Sequence, residues 1–204
     1  MSEGTLLSSQ SPRTPEPGHR SENDLDLALI QKICRKDEAA FAELFERFKA
    51  RVLNLAYRYM GSRGDAELIT QDVFLRVWQN ADKFRGTSLV WTWIYRITVN
   101  LCLTRKSRKQ LPTGELDDTV PAGEAHQPVE ALERRDTEEL VQRMLETLPP
   151  EQRMAIVLAE YEQLSYQEIG RTMNKTPRAI ATILFRARDN LRRRLMPFQK
   201  RGLL

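Results

Sequence analysis

From Asp37 onward, apolar side chains recur three and four residues apart: Phe41, Leu44, Phe45, Phe48, Val52, Leu55 and Tyr59. That spacing places them on one face of a helix. Asp37 is the predicted N-cap and Gly61 the predicted stop. Asp65 is predicted to cap the next helix, whose apolar positions include Ile69, Val73, Val77 and Trp78. A break over residues 82–88 holds Gly86. A third helix then carries Trp93, Ile94, Ile97 and Leu101, and ends in Arg105, Lys106, Arg108 and Lys109. No segment alternates with the period of two that a strand requires.

The helical pattern stops at residues 111–135, where Pro112, Gly114, Pro121, Gly123 and Pro128 lie among acidic residues. This composition reads as a flexible acidic linker whose like charges favour extension. Helical spacing returns at Leu140, Met144, Leu145 and Leu148, breaks at Pro149-Pro150, and resumes at Met154, Ile156, Val157 and Leu158. Ser165 and Glu168 then have capping-box spacing. Their helix ends near Met173-Asn174. Thr176 is a predicted N-cap with Pro177 at the first helical position. Ile180, Leu184, Ala187, Leu191 and Leu195 follow on one face. Two short capped helices joined by a few residues describe a helix-turn-helix. The predicted fold is all-α: two small helical domains, with a helix-turn-helix in the second.

Charge sharpens this division. The chain has 204 residues and a formal net charge of +4. Residues 83–110 contain seven basic and no acidic residues, and residues 171–204 contain ten basic and one acidic. Between them, residues 111–139 carry nine acidic and two basic residues. Two basic blocks at the ends of two helical units point to a polyanion touched at two places. A solvated basic face is the alternative for either block alone. The first 24 residues, with Pro12, Pro15 and Pro17, read as a disordered tail. They lack the apolar core of a secretory signal. No run of about 18 apolar residues is present to span a membrane.

In a helix-turn-helix the second helix enters the major groove. Arg178, Thr182, Phe185 and Asp189 lie opposite its apolar stripe. Arg178 suits guanine or phosphate, and Thr182 and Phe185 suit a thymine methyl. Arg171, Lys175, Thr176, Arg186 and Arg188 complete the candidate surface, with arginines meeting phosphates. In the first basic block, Lys83, Phe84, Arg85 and Gly86 form a loop. Trp91, Trp93, Tyr95, Arg96 and Asn100 follow on a helix. Aromatics beside cations suit unstacked bases. A core position is the competing reading for Trp78 and Trp93, which fall on apolar faces.

The order of these units resembles the extracytoplasmic-function (ECF) sigma factors of bacterial RNA polymerase, in the sigma-70 family. The resemblance covers about residues 25–200. It rests on Asp37-Glu38-Ala39-Ala40-Phe41, Asp65-Ala66-Glu67, Gln71 to Trp78, and Trp93 to Ile97 with Asn100. In the second unit it rests on Leu148-Pro149-Pro150, Leu164 to Ile169, and Arg186-Ala187-Arg188. It implies a disordered tail at 1–24, sigma domain 2 at 25–110, an acidic linker at 111–136 and a winged-helix-like sigma domain 4 at 137–204. It implies that Asp65, Glu67, Gln71, Asp72, Phe74, Leu75 and Trp78 dock on the clamp helices of the polymerase's largest subunit. Lys83, Phe84, Arg85, Gly86, Trp93, Arg96, Asn100, Arg105, Lys106 and Arg108 would melt and bind the −10 element. The helix-turn-helix would bind the −35 element near the polymerase flap. An anti-sigma factor is the further implied partner. Leu68 stands where an aspartate is common.

Enzyme classes find little support in the sequence. There is no Gly-rich phosphate loop, nucleophile–base pair or metal-ligand cluster. Cys34 and Cys102 form no CxxC pair, and the two histidines, His19 and His126, lie in loop-like sequence. The expectation is therefore a cytoplasmic protein with no catalytic residues, cofactor, metal or small-molecule substrate and no membrane insertion. The rival reading is a stand-alone repressor or activator, which would dimerise and leave the first basic unit unexplained.

Overall fold

The computed structural model describes residues 18–110 and 140–199. Among these residues there are helices and turns and no strand. The expected linker at 111–136 and most of the expected tail lie outside them.

The first unit is built from α1 (Gly18–Ile33), α2 (Glu38–Met60), α3 (Arg63–Asn80) and α4 (Val90–Gln110). The carboxylate of Asp37 accepts from the amide of Ala40 at 3.0 Å, which caps α2 as expected. Gly61 ends α2 at φ 76°, where its amide donates to the Tyr57 carbonyl. A left-handed residue closes a helix there without Cβ strain. The α3 cap differs from the expectation. Ser62 occupies the position, and its hydroxyl accepts from the Asp65 amide at 3.3 Å. Asp65 lies inside the first turn, and its carboxylate faces Arg105 instead.

Residues 18–24 also depart from the tail reading, because they form the start of α1. The reason is tertiary. Leu29, Ile30 and Ile33 are buried in the common core, and the Asn23 side chain accepts from the Val90 amide at 3.0 Å. The gain in apolar burial outweighs what local composition favours.

Leu44, Phe48, Val52 and Leu55 of α2 meet Ile69, Val73 and Val77 of α3, and Val90, Ile94 and Val99 of α4, all buried. Phe74 packs edge-on against Phe45, with ring centres 4.7 Å apart. Trp78 is half-buried against Phe41 at 5.1 Å. A short 3₁₀ turn, Ala81–Lys83, leads into the open loop before α4.

The second unit comprises α5 (140–146), α6 (Pro150–Ile156), α7 (Tyr166–Met173) and α8 (Pro177–Gln199). A π-helical turn, Val157–Tyr161, extends α6. Leu145, Leu148, Met154, Ile169, Ile180, Leu184 and Ala187 form its apolar interior. The predicted capping box is complete. The Ser165 hydroxyl accepts from the Glu168 amide, and the Glu168 carboxylate accepts from the Ser165 amide at 2.8 Å. Asn174 closes α7 at φ 54°, and the Thr176 hydroxyl caps α8 by accepting from Ala179. Ser165→Ala is expected to lower stability by about 1 kcal/mol, read as a fall in the thermal midpoint with helix content retained.

The two units pack against one another. Their buried side chains form one continuous cluster, and α4 rests directly on α7.

Candidate nucleic-acid interface

The candidate recognition surface is set by α7 and α8. Ile169 and Thr172 on α7, and Ile180, Leu184 and Ala187 on α8, are buried and fix the angle between the helices. Gly170 permits the close approach: a Cβ there would lie 2.6 Å from the Lys175 carbonyl oxygen. This leaves Arg178, Thr182, Phe185 and Arg186 on the outer face of α8, all exposed. Phe185 is 74% exposed, an unusual place for a large apolar ring. The Thr182 hydroxyl donates back to the Arg178 carbonyl at 3.1 Å.

Other members of the predicted upstream set already have protein partners. Arg188 donates to the Glu160 carboxylate at 2.8 Å and to the Tyr166 hydroxyl at 3.4 Å. Those bonds join α8 to the π turn and α7. Lys175 pairs with Glu151 at 2.9 Å, and Thr176 serves as the α8 cap. Asp189, on the outer face of α8, pairs with Arg193.

In the first unit, the loop before α4 brings Phe84 onto Trp93, with ring centres 5.1 Å apart. Both rings are half-buried, so each keeps an accessible surface. Arg85 and Gly86 are exposed, with Gly86 at φ 67°, and the Lys83 ammonium donates to Asn80 at 2.8 Å. Asn100 and Arg108 are exposed on α4, while Lys106 is half-buried. Trp91 is half-buried and packs edge-on against Tyr95. Arg96 points to the second unit, where it donates to the Arg171 carbonyl at 2.9 Å. Arg105 pairs with Asp65 at 3.0 Å, so one predicted DNA-binding residue and one predicted polymerase-binding residue satisfy each other.

The remaining docking candidates divide by burial. Glu67, Gln71, Asp72 and Leu75 are exposed along one side of α3, together with Leu68. Phe74 is 2% exposed and lies in the core. Asp72 also borders a groove shared with Arg76, Thr104, Arg105 and Arg108, so the predicted docking and −10 sets adjoin.

Sequence comparison decides the family. A sigma-70 region 2 model matches residues 44–111, and a sigma-70 region 4 model matches residues 138–191. The ECF RNA polymerase sigma-E factor of Escherichia coli is 31% identical over 192 residues, covering 89% of this chain and all of that protein. The chain belongs to the ECF sigma factor family. The sigma factor is also similar to the RNA polymerase sigma-H factor of Pseudomonas aeruginosa, at 27% identity over 84% of the chain and 94% of that protein. Its fold matches CnrH, solved in complex with the cytosolic domain of CnrY. That match has a TM-score of 0.65 and 20% identity, and covers 85% of this chain and 98% of that one.

The structure adds residues that sequence reasoning missed. Arg153 and Glu162 lie where the two units of the sigma factor meet, Glu162 accepting from the Tyr95 hydroxyl. Arg153 is 2% exposed although it sits in a helix start that composition reads as ordinary. A lone arginine just before the apolar run Met154–Leu158 is the one signal that marked it. Among the described residues, no group of three His, Cys, Asp or Glu is placed to hold a metal, and no helix is long and apolar enough to cross a membrane.

Proposed function

We propose that this sigma factor binds core RNA polymerase through the exposed side of α3 and directs it to two-part promoters through α8 and the loop before α4. The carrying observation is the exposed face of Arg178, Thr182 and Phe185 on a helix capped by Thr176 and packed on the fully capped α7. Gln71, Asp72 and Leu75 form the docking surface, where two polar groups flank an exposed leucine. Phe84 and Trp93 offer rings on which an unpaired base stacks, worth about 1–3 kcal/mol per base. Arg85, Asn100 and Arg108 supply polar and cationic groups along the same strand. Arg188 orients α8 through Glu160 and Tyr166, and the exposed arginines of α8 meet phosphate.

In this reading the protein acts in the cytoplasm, has no turnover of its own, and is held inactive by an anti-sigma factor. The sigma-70 region 2 and region 4 matches support the division of labour between the two units.

Two variants test the surfaces. Arg178→Ala is expected to reduce specific initiation about tenfold, the worth of one base or phosphate interaction, with polymerase binding retained. Gln71→Ala with Asp72→Ala is expected to weaken binding to core polymerase on gel filtration and titration, while leaving the thermal midpoint unchanged. Loss of polymerase binding in the first, or its retention in the second, would reverse the assignment.

A further inference from the structure

Ile69, Asp72 and Arg76 recur three and four residues apart on α3, and Leu101, Thr104 and Arg108 do the same on α4. Each spacing gathers its set on one helical face. Where α3 and α4 lie side by side, these residues line a groove of about 380 Å³. Small-ligand sites hold about 300–1,000 Å³. The floor is apolar, with Ile69 1% exposed and Leu101 half-buried. The rim carries Asp72 and Arg76 from α3, and Thr104, Arg105 and Arg108 from α4.

Most of that rim is uncommitted. Arg105 is matched by Asp65 at 3.0 Å. The side chains of Asp72, Arg76, Thr104 and Arg108 have no hydrogen-bond or ion-pair partner among the described residues, and all four are exposed. Asp72 and Arg76 have the four-residue spacing of a helical ion pair, yet they stay apart. With Arg105 offset by Asp65, two free guanidiniums still outnumber the one lining carboxylate. The groove therefore attracts an anion, and it keeps an acceptor and a hydroxyl beside the cations.

We propose that this groove is a binding site for a free ribonucleoside diphosphate or triphosphate. Arg76 and Arg108 grip the phosphates, the pairing for which a guanidinium fork is suited. Asp72 accepts from the ribose hydroxyls, as a carboxylate does in dinucleotide sites, and Thr104 adds a further polar contact. The base lies on the apolar floor of Ile69 and Leu101. The carboxylate separates this ligand from a promoter strand. Deoxyribose offers Asp72 no pair of hydroxyls, and a carboxylate among strand phosphates repels them. The ligand would cover Asp72 of the proposed docking surface and Arg108 of the proposed −10 surface together. The proposal rests on the sigma reading for what the ligand then regulates, and on the groove alone for binding.

The test is calorimetric titration of the full chain with ADP, 2′-deoxy-ADP and inorganic pyrophosphate, in magnesium-free buffer. ADP is expected to bind with a dissociation constant below about 1 mM, about tenfold tighter than 2′-deoxy-ADP or pyrophosphate, the worth of one hydrogen bond to a charged group. Arg76→Ala and Arg108→Ala are each expected to weaken ADP about tenfold. Both side chains are exposed, so the thermal midpoint should hold. Asp72→Ala is expected to erase the preference for ADP over 2′-deoxy-ADP. No binding by ADP at 1 mM, the strength of a chance surface contact, would overturn the site. So would affinity unmoved by both arginine variants. Equal affinity for all three probes would overturn the ribonucleotide and leave an anion patch. Saturating ADP is further expected to reduce complex formation with core polymerase, and to lose that effect in the double arginine variant. Complex formation indifferent to ADP would overturn regulation. Failure of the sigma reading shows separately, as no polymerase complex even without ADP, while the titrations stand unchanged.

Discussion

Gly170→Ala is expected to abolish promoter-specific initiation and lower the thermal midpoint of the second unit. The effect follows from a single distance. The added methyl carbon would lie 2.6 Å from the Lys175 carbonyl oxygen and 3.6 Å from the Pro177 nitrogen, all backbone atoms of the turn between α7 and α8. Backbone cannot rotate away as a side-chain tip can. Relief requires α7 to move relative to α8, or the turn to unwind. Overpacking of this kind costs about 1–3 kcal/mol and occasionally more. The same residue is buried, so solvent gives no room. Polymerase binding through the proposed α3 surface should survive, because α3 is remote from this turn in the chain and packs against α2 and α4. Circular dichroism melts and a −35 duplex titration with the assembled holoenzyme check both halves. A variant that melts and initiates like the parent would refute the tight-turn account.

Arg105→Ala is expected to destabilise the first unit by about 2–3 kcal/mol. Asp65 is a buried carboxylate, 8% exposed at its side chain, and Arg105 is its ion-pair partner at 3.0 Å. Removing the guanidinium takes away one charged partner of a carboxylate that has little water to replace it. Asp65→Ala in the same chain should recover part of the loss, because no charge is then left behind. Denaturant unfolding of the four members of that cycle measures the coupling. Equal losses that simply add would show that the pair is no more than a surface interaction. The functional consequence is separate. If Arg105 chiefly joins α3 to α4, initiation should fall in step with stability. If it also grips phosphate, initiation should fall further than the melt accounts for, and the double variant should regain stability without regaining activity.

Much of this architecture is legible in the residues. The α2 stripe, the Asp37 cap, the Gly61 stop, the Ser165–Glu168 box and the Thr176-Pro177 restart are local signals, and each appears where the spacing places it. Short-range chemistry decides them, so a short window suffices. The start of α1 is not local. Its residues are polar and proline-flanked, and they become helical because Leu29, Ile30 and Ile33 find a core made by α2 and α4. The α3 cap is Ser62 and not the predicted Asp65, because a cap position one turn earlier leaves the Asp65 carboxylate free to face α4. Arg105, which ends the third helix, claims that carboxylate. The candidate site divides the same way. Exposure of Arg178, Thr182 and Phe185 follows from helical phase. The inward turn of Phe74 within the proposed docking segment follows from packing against Phe45 and Phe41. The engagement of Arg96 by Arg171 depends on how two separate units meet, and no periodicity encodes that.

The bond from the Val90 amide to Asn23 ties the beginning of α4 to a residue 67 positions earlier. Asn23 falls before the boundary at residue 25 that composition suggests. A fragment trimmed there would keep every tryptophan and arginine of the proposed −10 surface, yet its amide at Val90 would exchange freely with deuterium. The first turn of α4, and with it the loop holding Phe84, would fray. The segment ahead of the first apolar stripe is thus a fastener for the loop that holds Phe84, and a chain begun after Asn23 loses the tie that keeps that loop in register.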